Sequence, residues 1–113
     1  MKFEAVEKGE AVLIHLDGRI GSSENDMRLR EKVLHYLEKG KKRIILELGE
    51  VQIIDSESMG ELVATYVTAR RLGAVLMLAN PTSKVKTLLE VTRLSGVIDT
   101  FELGIQKEKK DEA

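Results

Sequence analysis

The stretch "VQIIDSESMGEL", residues 51–62, runs an apolar segment straight into Asp-Ser-Glu-Ser and then restarts apolar residues at helical spacing. Residues 51–54 read as the end of a strand. Met59, Leu62, Val63, Tyr66 and Val67 then recur at i, i+3, i+4, i+7 and i+8, the stripe of a helix packed on a core. Between the two sit a carboxylate and two hydroxyls. Capping is the simplest use for them: Ser58 with Glu61 three residues on fits a capping box, and Asp55 or Ser56 would cap one turn earlier. Capping needs one such group and the junction offers three, so a nucleophile's seat and a docking point for a partner stay open.

The flanking sequence sets the architecture. Residues 2–18 read as two strands joined at Lys8-Gly9-Glu10, with Val12, Ile14 and Leu16 on one face and Leu13 and His15 on the other. "GSSEND" is a polar loop, and residues 25–39 follow as a helix with Leu29, Val33, Leu34 and Leu37 inward and Gly40 as its stop. "KKRIILEL" is a buried strand after a basic turn. The helix begun at the junction ends at Gly73. "AVLMLA" is an unbroken apolar run, as in a parallel strand covered on both faces. Asn80-Pro81-Thr82-Ser83 opens a third helix with Val85, Leu88 and Leu89 inward and Pro81 in its first turn. "IDTFEL" holds a last short strand. The order β-β-α-β-α-β-α-β predicts an α/β domain with a mixed, mostly parallel sheet: an N-terminal hairpin, then alternating helices on right-handed crossovers. Residues 1–106 form this one domain, and the charged residues 107–113 are expected to be a disordered tail.

Composition narrows the function. Eighteen basic against nineteen acidic residues leave a formal charge of −1, no electrostatic case for nucleic acid or an anionic membrane. No apolar run approaches the ~20 residues needed to span a bilayer, and "MKFEAVEKGE" lacks the apolar core of a secretory signal. The absence of Cys removes thiolate chemistry, disulfides and Cys-based zinc sites. These features lead us to expect a soluble cytoplasmic domain without cofactor or metal. His15 and His35 lie on different elements with no carboxylate at a ligand spacing, which suits structural or surface roles. Strand, sharp turn, Ser and helix outline a nucleophile elbow, but the first Gly is missing around Ser58 and no His follows His35, which argues against a hydrolase. No phosphate-cradling Gly motif occurs.

The strand ending Ile53-Ile54-Asp55-Ser56, with Glu57-Ser58-Met59-Gly60 after it, resembles the STAS domain family of bacterial anti-sigma factor antagonists. That family's junction reads roughly apolar-Asp-Ser-Ser-Gly-Leu-Gly. The likeness extends to "RIILELGEV" before it and "ANPTSKVKTLLEVTRLSGVIDTFE" after it, covering roughly residues 5–105. The resemblance implies a protein without catalysis of its own. It would bind an anti-sigma factor that is also a serine kinase, be phosphorylated on Ser56 and released, and be restored by a PP2C-type phosphatase. Asp55 matches the motif acid beside the acceptor, and Asp55, Ser56, Glu57, Ser58 and Met59 together form the expected partner-binding stretch. Met59 also heads the apolar stripe, so core packing is its other reading. The chain departs from the motif at Glu57, where a small residue is usual, and at Ser58, where Gly is frequent and a second hydroxyl now competes as acceptor. It also ends in the charged tail rather than the C-terminal helix of many members. The alternatives are a STAS scaffold that is never phosphorylated and, further off, a carrier of a small apolar ligand. A monomer or weak dimer is expected.

Overall fold

A computed structural model describes residues 2–19, 23–54 and 56–103, with the side chains of 2, 19, 23–28, 52, 53 and 56 left out of the description. The elements follow the expected order: β1 (Lys2–Lys8), β2 (Ala11–Arg19), α1 (Ser23–Glu38), β3 (Arg43–Ile53), α2 (Ser56–Arg71), β4 (Val75–Ala79), α3 (Ser83–Val91) and β5 (Thr100–Phe101). The five strands lie in the order β1-β2-β3-β4-β5. β1 and β2 are antiparallel, joined through Gly9 at φ 59, a left-handed turn conformation that glycine adopts without strain. The remaining pairs are parallel. Because successive crossovers all step the same way along the sheet, their common right hand puts α1, α2 and α3 on one face.

The core lies between that face and the helices. Val12, Ile14 and Leu16 of β2 meet Ile44 and Leu46 of β3 and Leu76 and Leu78 of β4, all essentially without exposure. Leu29, Val33 and Leu37 of α1, Leu62 of α2, and Val85 and Leu89 of α3 cover them. The opposite sheet face is only half-buried, at Leu13, Ile45 and Met77. β4 is therefore not buried on both faces as its unbroken apolar run suggested, and Val75 at its start is 44% exposed. The run encodes one buried face and one that no helix covers among the described residues.

Several boundaries move. α1 starts at Ser23, inside the segment read as a loop. α3 is capped by Thr82, whose Oγ1 accepts from Val85 N at 3.3 Å, so Pro81 precedes the cap rather than occupying the first turn. The α2 stripe is rotated from the expected one. Ser58, Met59, Leu62, Thr65 and Ala69 face the core, while Val67 is 39% exposed. Ser58, Thr65 and Ala69 put small side chains on the buried face of this helix. The expected charged tail, residues 107–113, lies outside the described residues.

Candidate functional site

β3 carries the chain past the end of its pairing with β4 before the junction. Its residues 43–47 pair with β4, but farther along it pairs only with β2, at Asp17↔Glu50, Gly18↔Val51 and Arg19↔Ile53. Two register shifts, after His15 and after Gly18, each give β3 one residue more than β2. Such bulges bend a strand and break its inside-outside alternation. Just before the first shift Leu46, Glu47 and Leu48 are all buried, Glu47 on the sheet face it shares with His15.

Glu47 is the polar centre of the bend. Its carboxylate is bonded through Oε1 to His15 Nδ1, and Oε2 accepts from Gly49 N at 3.1 Å and from Asn80 Nδ2 at 2.7 Å. Asn80, at φ 53, passes the chain on by accepting from Leu103 N at 2.6 Å. A buried carboxylate is tolerable when its lone pairs are filled in this way. A Cβ on Gly49 would lie 2.8 Å from Glu47 Oε2, so a larger residue there would have to displace that carboxylate oxygen. The network ties β2, β3, β4 and the segment after β5 together at the strand ends next to the junction. His15 thus has the structural role expected of it, with a partner that sequence spacing could not show.

α2 begins at Ser56, so Ser58 is inside the first turn and not at an N-cap. The capping box is absent: Glu61 accepts instead from Arg30 Nε of α1. Asp55 lies outside the described residues, as does the Ser56 side chain; the Ser56 backbone opens the helix, where unsatisfied N–H groups collect. Glu57 is exposed in this first turn, where the helix dipole favours an acid. Ser58 is fully buried and engaged, and Met59 is 2% exposed within the core cluster. Of the expected stretch, Glu57 faces solvent while Ser58 and Met59 face inward.

Two features were not singled out from sequence. Gly60 is exposed, has no positive φ, and a Cβ there would meet nothing within 4 Å, so the fold does not require glycine at that position. Gly60, Ala64 and Val67, at i, i+4 and i+7, leave a smooth outward strip beginning at the junction. Separately, Ile54, just before α2, and Ser83, Lys84, Thr87 and Leu88 of α3 line an open groove of about 340 Å³. Helical periodicity could have found the strip had polar-face glycine been counted as a signal. The groove depends on tertiary packing. Among the described residues no His, Asp and Glu cluster could hold a metal ion.

The STAS domain family profile matches residues 2–107. The chain belongs to the STAS domain family. This STAS domain is 30% identical over 67 residues to a Thermotoga neapolitana protein named as an anti-sigma factor antagonist, a match covering 59% of each chain. It thus spans less than two thirds of that relative's length. Among solved structures it resembles an anti-sigma factor antagonist of Thermotoga maritima, with TM-score 0.81, 23% identity, and coverage of 98% of this chain and 95% of that one. It also resembles the Bacillus anti-sigma factor antagonist SpoIIAA. The TM-score is 0.76 for the unphosphorylated form, with 17% identity and 99% and 98% coverage. It is 0.74 for the phosphorylated form, with 16% identity and 99% and 100% coverage. At these identities the structural likeness is one of fold.

Proposed function

We propose that this STAS domain is an anti-sigma factor antagonist that binds an anti-sigma factor acting also as a serine kinase, and that phosphorylation of Ser56 releases it. A PP2C-type phosphatase would reset the switch, in the cytoplasm, and the domain itself catalyses nothing. The observation that carries the reading is the placement of Ser56 as the first residue of α2, at the end of a bulged strand that projects past β4. Ser58, the rival acceptor, is fully buried, and a kinase could reach its hydroxyl only by opening the helix start. Asp55 beside the acceptor and Glu57 after it are the acidic neighbours the kinase would meet. The partner would rest on Glu57 and the strip from Gly60, with Met59 holding the helix start in place from beneath. A glycine exposed within a helix costs about 0.5–1 kcal/mol relative to alanine, and close approach of another backbone is a reason to keep it.

Glu57 favours a second reading, a scaffold never phosphorylated here, because it adds negative charge next to the acceptor. The two part in one experiment. Wild type and Ser56→Ala are bound to the captured anti-sigma partner, and ATP is added. The switch requires ATP to release wild type and to leave Ser56→Ala bound; a scaffold stays bound in both cases.

A further inference from the structure

β1 is an edge strand whose outer side has no neighbour among the described residues. Alternate residues turn their N–H and C=O groups away from β2, a ready template for another strand. Natural edges are commonly blunted with charge, so the arrangement of charge on β1 is informative. The register with β2 puts Glu4, Val6 and Lys8 opposite His15, Leu13 and Ala11, on the sheet face away from the helices. Val6 is 62% exposed. Neither Glu4 nor Lys8 makes an ion pair among the described residues, whereas Glu7, on the helix side, is engaged by Lys39 and Lys41.

We propose that β1 pairs antiparallel with β1 of a second copy of this chain, centred on Val6 against Val6. In that register Glu4 lies opposite Lys8 of the other copy and Lys8 opposite its Glu4, flanking the valine contact on one face. Neighbouring registers lack this match. Centring on Glu4 opposes two glutamates, centring on Ala5 opposes Lys8 to another lysine at position 2, and centring on Glu7 opposes Glu4 to Glu10. The pairing also continues an apolar row. Val6, Leu13, Ile45 and Met77 lie side by side across β1, β2, β3 and β4, and all but Val6 are half-buried. Two copies joined at Val6 would double that row across a ten-stranded sheet. The contact is small and charge-assisted, so the dimer is weak and salt-sensitive.

The test is sedimentation equilibrium of the full chain, with thermal melts to verify folding. Wild type should show a monomer–dimer equilibrium in the micromolar to low millimolar range. Glu4→Lys and Lys8→Glu each turn both flanking pairs repulsive and should weaken it by about tenfold or more. The double variant, Glu4→Lys with Lys8→Glu, should restore it, as should mixing the two single variants, which form complementary heterodimers. A wild type that stays monomeric throughout, or a dimer indifferent to the single substitutions, overturns the proposal. So does a double variant as weak as the singles.

Discussion

At the scale of single residues, the first turn of α2 divides its side chains sharply between core and surface. Met59 is 2% exposed and packed in the core, so Met59→Ala should cost about 2–5 kcal/mol of stability, read from denaturant unfolding. A much smaller loss would place the side chain outside the core. Gly60→Ala should do the opposite, since nothing lies within 4 Å of the added Cβ. It should stabilise the protein by about 0.5–1 kcal/mol while weakening partner binding. Unchanged binding would take Gly60 out of the contact surface. The inward residues were hard to see in sequence because Ser58 and Thr65 are polar by type, yet only 0% and 1% exposed. Thr65 donates to Glu61 O at 2.8 Å, satisfying its hydroxyl within the helix. A stripe drawn through large apolar residues therefore pointed toward Val67, because the small buried residues Ser58, Thr65 and Ala69 carry no strong apolar signal.

At the scale of elements, β3 explains where the junction sits. The sequence reads as a buried strand at "KKRIILEL" and a separate strand end at residues 51–54, whereas one strand runs through two bulges to Ile53. A bulge leaves no signature beyond a broken alternation, and Glu47 looks like an outward polar residue until the parallel register brings His15 and Asn80 to it. By contrast the hairpin, the element order and the inward faces of α1 and α3 were legible, because each carries its full period in apolar residues. Gly49→Ala should displace the Glu47 carboxylate and break its bonds to His15 and Asn80, costing about 1–3 kcal/mol. Heteronuclear NMR should then show shifts at His15, Asn80 and Leu103; perturbation confined to Gly49 would contradict the network. β1 is tethered differently. Hydrogen bonds from Lys39, then Lys41, hold the exposed Glu7 carboxyl below its usual range. Its ionised form is favoured on folding, so the small stabilisation exists at neutral pH and fades as pH falls through the folded value. Side-chain carboxyl NMR should find Glu7 titrating below an ordinary glutamate, and Lys39→Ala should move it back up.

At the scale of the whole molecule, the proposed phosphate on Ser56 could act either by unfolding the domain or by spoiling an interface. A phosphate adds about −1.5 to −2 charge at a helix N-terminus, where the dipole favours an anion by about 0.3–1 kcal/mol. Exposed Glu57 would oppose it by a similar amount, since exposed charge pairs are worth about 0–1 kcal/mol. The two roughly cancel, and the core of sheet and three helices lies beneath the site rather than at it. The phosphoprotein should keep its helix content and melt within a few degrees of the unmodified form, and loss of helix by circular dichroism would make this a folding switch instead. The proposed release would then come from the partner's surface, where the dianion would be desolvated or set against unsuited groups. The most direct measurement is to incubate the full chain with ATP and its captured anti-sigma partner, then follow intact mass, phosphosite and release together. One phosphate on Ser56, appearing as the complex comes apart, is the expected result. Phosphate found on Ser58 alone, or release with no phosphate anywhere on the chain, would contradict the assignment.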